Sequence, residues 1–463
     1  MKARAGGCLL AAALALPAQV KLPPFTREVL ANGTVVVLAP RRDVPMITLR
    51  VLARGGVESD PAEMAGLSSM TAELLRRGTA KRTAEQFSEQ LDVIGATFFA
   101  GADEQSVVVS AEFLSRYLDR ALELTADAAL RPVFPEAEVS KVRSQRIDGA
   151  KAVKDNPQAA LANYFRSFFF TSKHPYGRPA DEHSYARIER QHLVDCHRRL
   201  FTGRNLIVVA AGDFDPPALR QKLAAAFGAI SAGSVYGWVK SAPPMERATP
   251  RLLLVDKPDA TQTYFRIAQP GIHRTHPDRV GLLLVNTLFG GRFTSMLNDE
   301  LRVNTGLTYG AGSQLQEDRM RGAIVISSYT RTDTTAQAID LALEVLKRLR
   351  EKRIDAEQLA STKTYIKGTF PTDHLETADQ LADVLGEIEL FDLDRGEVDD
   401  FFARIDAVTL EQANALARNY YRADNLQFAL LGNAAKIRDA VARYAPVRKE
   451  IAITSAGLAA PEM

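Results

Sequence analysis

The sequence predicts an α+β fold of two related domains, each a mostly antiparallel sheet packed with helices, and three observations lead there. The first is length: 463 residues exceed what one ordinary core organises and point to two or more domains. The second is an internal duplication. Asp60-Pro61-Ala62-Glu63 with Gly66-Leu67 is echoed by His276-Pro277-Asp278 with Gly281-Leu282, and the apolar run Asn205 to Gly212-Asp213 by Asn425 to Gly432-Asn433. Each pair lies about 215 to 220 residues apart, so one structural unit occurs twice. The third is the order of patterns within each unit, where short strand-like runs joined as hairpins precede long stretches of helical period.

In chain order, Lys2 and Arg4 followed by an apolar run from Gly6 to Leu16 and small residues at Ala15 and Ala18 have the layout of a secretory signal peptide over 1–18. A first domain is expected over 24–235. It has strands at 35–38 and 46–52, a hairpin of 97–100 with 106–111 around Gly101 and Asp103, and helices over 112–129 and 136–152. Asp60, Pro61 and Glu63 read as an N-cap, a first-turn proline and a capping-box acid ahead of a further helix. The proline-containing stretch 236–250 is the expected linker. The second domain, 251–446, repeats the pattern with strands at 252–255, 263–267, 310–315 and 323–328 and helices over 335–352 and 356–367, leaving 447–463 as a tail. Hairpin linkage predicts helices on one face of each sheet.

Composition excludes several classes. With 46% hydrophobic and 25% charged residues the chain is of ordinary globular type. The formal charge is +2; without Lys2 and Arg4 the 58 basic residues become 56 against 56 acidic, which recommends neither nucleic acid nor an anionic membrane as partner. No stable membrane span is expected. Of the two cysteines, Cys8 falls in the signal-like segment, so Cys196 stands alone and stability must come from packing.

The most informative stretch is Gly290-Gly291-Arg292-Phe293-Thr294-Ser295-Met296-Leu297-Asn298-Asp299-Glu300-Leu301-Arg302, followed by Gly306-Leu307-Thr308-Tyr309-Gly310. It resembles the second-half signature of the pitrilysin/insulinase-type metallopeptidases. Further matches come in the family's order: Leu30-Ala31-Asn32-Gly33, Ala65-Gly66-Leu67, Gly78-Thr79, Gly95-Ala96, His174-Pro175-Tyr176-Gly177-Arg178-Pro179 and Gly212-Asp213-Phe214-Asp215. The resemblance covers nearly the whole chain after residue 18. It implies that Arg302 and Tyr309 bind substrate, holding a scissile carbonyl opposite a zinc site.

That zinc site is where the sequence departs. The family carries H-x-x-E-H on a helix, two imidazoles on one face with a glutamate as general base. Aligned on Gly66-Leu67 and Gly78-Thr79, the first histidine is Ser69, the base is Ala72 and the second histidine is Glu73. The family's third ligand, a glutamate about eight residues before an Asp-x-Pro turn, falls on Gly149 when counted back from Pro157. Glu73 and Asp148 remain as oxygen donors, but carboxylates without imidazole make a poor zinc site. No metal ligand and no catalytic residue is therefore expected in this chain.

Other chemistry is sparse. His192 and His197 are five positions apart, so on a helix they diverge by about 140°. His273 and His276 sit at a loop-to-helix junction, where His276 suits a cap, and His174 suits a structural turn. For Arg302 the alternative is a surface ion pair with Asp299 or another acid, with Tyr309 half buried at a strand edge, and for Gly290-Gly291 a helix C-cap after Leu288 competes with close approach of a substrate backbone. In two-subunit members of the family one chain holds zinc and the other carries the Arg and Tyr. The resemblance thus implies a non-catalytic subunit, inactive alone, whose partner is a homologous chain bearing H-x-x-E-H and the zinc, with peptides as substrates and a periplasmic or secreted setting. The alternative is a structural or peptide-binding scaffold with no part in proteolysis.

Overall fold

The computed structural model describes residues 20–243 and 245–463; the signal-like segment 1–18 lies outside the described residues. Two six-stranded sheets dominate. The first comprises β1 (Thr26–Val29), β2 (Val35–Pro40), β3 (Met46–Arg54), β4 (Thr97–Ala102), β5 (Ser106–Leu114) and β6 (Leu206–Gly212), in the order β1-β2-β6-β3-β5-β4. The second comprises β7 (Arg251–Asp256), β8 (Gln262–Pro270), β9 (Ala311–Leu315), β10 (Ala323–Arg331), β11 (Gln427–Gly432) and β12 (Val447–Ala452), in the order β12-β7-β11-β8-β10-β9. The five positions from β2 to β4 and from β7 to β9 correspond one to one, which is the duplication in three dimensions. Pairing is mostly antiparallel, with β2–β6, β7–β11 and β7–β12 parallel.

Of the central strands, β6 is apolar throughout and β11 is apolar after Gln427, because both faces of each sheet are covered. Along β6, Leu206, Val208 and Ala210 face the helices of the first half, while Ile207, Val209 and Ala211 face the helix Ala378–Leu390 of the second half. Along β11, Phe428 and Leu430 face the second half's own helices, while Ala429 and Leu431 meet the helix Pro157–Phe170 of the first half. The strand period of two thus sorts alternate residues between two cores. Helices on one face only, the expectation from hairpin linkage, is corrected accordingly: each half covers one face itself and receives a helix from the other half on the second. Leu381, Leu385 and Ile388 are buried against the first sheet, each contributing about 1.5–3 kcal/mol before side-chain entropy is charged.

Both exchanged helices start on strong local signals. Asn156 accepts from the Ala159 N–H at 3.1 Å with Pro157 in the first turn, and Thr377 with Gln380 forms a capping box. Two sequence expectations shift. The helix expected from 112 begins at Leu118, because β5 stays paired to β3 as far as Leu114 opposite Met46. Pro61 does not open the helix: Ala62–Met64 is a 3-10 turn, and the helix Leu67–Leu74 starts after left-handed Gly66 (φ 94°). Asp60 still satisfies that helix start, its two carboxylate oxygens accepting from Gly66 N and Ser68 N at 2.9 Å each. A Cβ at Gly66 would lie 2.6 Å from the Tyr185 ring, so glycine is required there on both counts.

The apolar helical stretch Arg279–Asn304 is long and apolar enough to cross a membrane, yet 61% of its most apolar window is buried in the second half, which makes it a core element.

Candidate functional site

Arg302 and Tyr309 come together through an irregular helix and a tight return. After the helix Arg279–Asn286, residues Thr287–Gly291 widen into a π turn, and a second π turn spans Asp299–Asn304. Gly306 then adopts φ 62° and reverses the chain, with Leu307 N and Thr308 N both donating to Leu301 O at 2.9 and 3.2 Å. Tyr309 is folded back over Arg302, whose guanidinium carbon lies 4.4 Å from the Tyr309 ring centre and 4.7 Å from that of Phe293. The cation is held between two rings, Tyr309 being 73% exposed and Phe293 64%.

The ion pair with Asp299 does not form. Among the described residues Arg302 has neither a hydrogen bond nor an ion pair, and the nearby Glu300 is bonded instead to Arg348 at 2.5 Å. Both polar ends of the pair are therefore unengaged and face a concavity of about 810 Å³ between the helix Pro157–Phe170 and the second sheet. Gly290 forms no left-handed C-cap. A Cβ there would lie 2.3 Å from Ser313 N, so the glycine lets the π turn pack on the backbone of β9. Asn286 and Asn298 secure the same contact, Asn286 Nδ2 donating to Ser313 O at 3.0 Å and Asn298 Oδ1 accepting from Ala311 N at 3.3 Å.

The first-half positions at which the family carries its zinc site are occupied differently. Glu73 accepts from Arg146 at 2.7 Å and lies 3.6 Å from Arg77. Arg77 also reaches Glu138 at 3.8 Å. Ala72 is fully buried in the first core, so the position of a general base holds a packed methyl group. Gly149 and Asp148 are exposed. These residues do not fit zinc: Glu73 is already neutralised by two guanidinium groups, Asp148 is exposed, and no imidazole is among them. Among the described residues no group of three His, Cys, Asp or Glu side chains is placed to hold a metal ion.

The other candidates have structural partners. His192 Nδ1 accepts from Glu189 N, whereas the His197 ring stacks on Phe201 and its Nε2 meets Ala129 O at 2.8 Å. His276 Nδ1 accepts from Asp278 N at the helix start, and His174 Nδ1 from Tyr176 N, with burial holding His174 down to about 4. Burial raises the Cys196 thiol to about 11 and Asp60 to about 7, the latter despite its two backbone donors. Two neighbours of Arg302 escaped the sequence reading. Arg266 and Arg292 line the same concavity; Arg292 lies inside the stretch 290–302 without being singled out there, and no local motif marks Arg266.

Comparison with known proteins bears on the family and the fold. Residues 35–179 match the family described as insulinase (peptidase family M16), and residues 187–366 match the peptidase M16 inactive domain. An uncharacterized zinc protease of Mycobacterium tuberculosis is 26% identical over 396 residues, covering 85% of this chain and 90% of that one. The crystal structure of a peptidase M16 inactive domain from Pseudomonas fluorescens superposes with TM-score 0.82 at 23% identity, over 88% of this chain and 98% of that one. The periplasmic protease PqqL from Escherichia coli aligns with TM-score 0.72 at 15% identity over 93% of this chain, which spans 49% of that protein.

Proposed function

From the premise that the chain belongs to the insulinase-type peptidase family M16, we propose that it is the non-catalytic subunit of a two-chain zinc metallopeptidase. In this reading Arg302 and Tyr309 bind the substrate and stabilise its transition state, while a homologous partner bearing H-x-x-E-H carries the zinc and activates water. Attack on a peptide carbonyl places negative charge on its oxygen, and fixed cationic and phenolic donors stabilise that charge without having to reorganise. The observation that supports the reading is the Arg302 guanidinium, stacked between Phe293 and Tyr309 with no counter-charge among the described residues, in a chain whose Glu73 is paired with Arg146. The signal-like segment 1–18 and the likeness to a protease described as periplasmic support an exported setting.

The test is reconstitution. The purified chain should show no zinc-dependent peptidase activity alone and should support it when the zinc-bearing partner is added. Arg302→Ala and Tyr309→Phe should each cut turnover of the complex by about one to three powers of ten, the scale of a lost oxyanion donor. Chelator-sensitive cleavage by the single chain, or full turnover by both variants, would overturn the proposal; in the second case the scaffold alternative takes its place.

A further inference from the structure

Resting on the reading that the concavity beside Arg302 receives peptide, we infer that it selects segments bearing acidic side chains. Three arginines from separate elements line it: Arg266 on β8, Arg292 after the first π turn, and Arg302 on the second. No Asp or Glu is among its lining residues, and none of the three has a carboxylate partner among the described residues. Arg266 stacks on Phe165 at 5.3 Å. Arg292 lies 5.8 Å over Tyr365, donates to Ser361 Oγ at 3.3 Å, and has a buried Nε with no partner. Each guanidinium is held by a different ring on a different element, an arrangement that suits several carboxylates along one extended chain.

A second concavity, of about 640 Å³, shows the contrast. Its arginines are internally balanced: Arg274 pairs with Glu387 and Glu397, Arg279 with Glu317 and Glu397, and Arg404 with Glu397. Unbalanced cations gathered in one groove, with burial and then Arg166 pushing the Arg266 pKa down, constitute an electrostatic deficit that an anionic ligand removes. The tyrosine rings of Tyr264, Tyr329 and Tyr365 give the same groove apolar surface for the rest of a peptide.

The experiment measures fluorescence polarisation of labelled, C-terminally amidated peptides of about twelve residues on the full chain, alternate positions being Glu, Gln or Lys. A fourth peptide is the Gln version with a free C-terminal carboxylate. The Glu peptide should bind at least about tenfold more tightly than the Lys peptide at low salt, with the gap narrowing as salt is added. Arg266→Gln and Arg292→Gln should each shrink that gap by about three- to tenfold. Should Arg266→Gln fail to fold, Arg292→Gln and the peptide series on the unaltered chain still decide the matter. Equal binding of Glu and Lys peptides, a gap that survives both substitutions, or a preference found only for the free-carboxylate Gln peptide would overturn the inference. None of these readouts needs the partner or turnover. Loss of acid preference with Arg302 still controlling turnover of the complex sinks this inference alone, whereas failure of every peptide to bind sinks the reading beneath it as well.

Discussion

Two charged centres occupy related halves of the molecule and are built in opposite ways. In the first half Arg146 and Arg77 converge on Glu73, and Asp60 is buried against backbone N–H groups. In the second half Arg302 rests between aromatic rings with no acid paired to it among the described residues. The first arrangement is closed on itself, each charge being met by a partner within the same half. The second leaves its charge to be completed from outside. On the proposed reading, a duplicated unit loses its chemistry in one copy and keeps it in the other without any change in sheet topology, since Glu73, Arg302 and Tyr309 lie outside the strand ladders.

The contrast can be broken or sharpened by measurement, beginning with the largest effect. It presupposes that the halves form one cooperative body, so Leu385→Ala, which empties a buried position between the second-half helix and the first sheet, should cost about 2–5 kcal/mol in denaturant unfolding. A separate early transition with the main one unmoved would show independent halves. Next comes Asp60. Burial pushes its folded-state pKa up to about 7, well above the usual carboxylate range, so the folded state binds the proton more tightly and stability should fall as pH rises from about 4 to about 7. The difference between the native chain and Asp60→Asn should trace that fall, by no more than about 4 kcal/mol; parallel stability curves would assign the pH dependence to other groups. Glu73→Ala should then cost about 1 kcal/mol, since its partners are partly solvated, and leave turnover of the reconstituted complex unchanged. A turnover loss matching that of Arg302→Ala would erase the distinction between the centres. Smallest is the effect of Arg302→Gln on stability of the chain itself, within about 0.5–1 kcal/mol because only an exposed ring contact is lost. A larger penalty in thermal melts would mean that Arg302 serves the fold.

Much of this was legible in the order of residues. The duplication follows from Asn205 to Gly212 against Asn425 to Gly432, which became β6 and β11 at equivalent positions of their sheets. The replaced ligands Ser69, Ala72 and Glu73 could be read because Gly66-Leu67 and Gly78-Thr79 bracket them. Arg302 and Tyr309 were marked by their glycine-rich surroundings, and the left-handed Gly306 between them provides the return that stacks the pair. What local sequence does not carry is long-range partnership. Arg146 filling the space beside Glu73, Arg266 and Arg292 joining Arg302, and the two helices exchanged between halves all depend on tertiary contact. The alternation along β6 is hidden from a pattern reading because both of its faces are apolar.

One further feature extends the exchange of helices. Beyond β12 the last residues turn back to the first half: Gly457 N donates to Glu182 at 2.7 Å, Ala460 N to Ser167 Oγ at 2.9 Å, and Ser455 O accepts from Lys154 at 2.5 Å. At the other end Leu22 N donates to Asp399 at 2.8 Å in the second half. The polypeptide is thus laced at both ends like a boot, each lace tied to the opposite side. Clipping the final nine residues would remove nothing from either sheet yet loosen the grip of the Pro157–Phe170 helix, one wall of the groove where Arg302 waits.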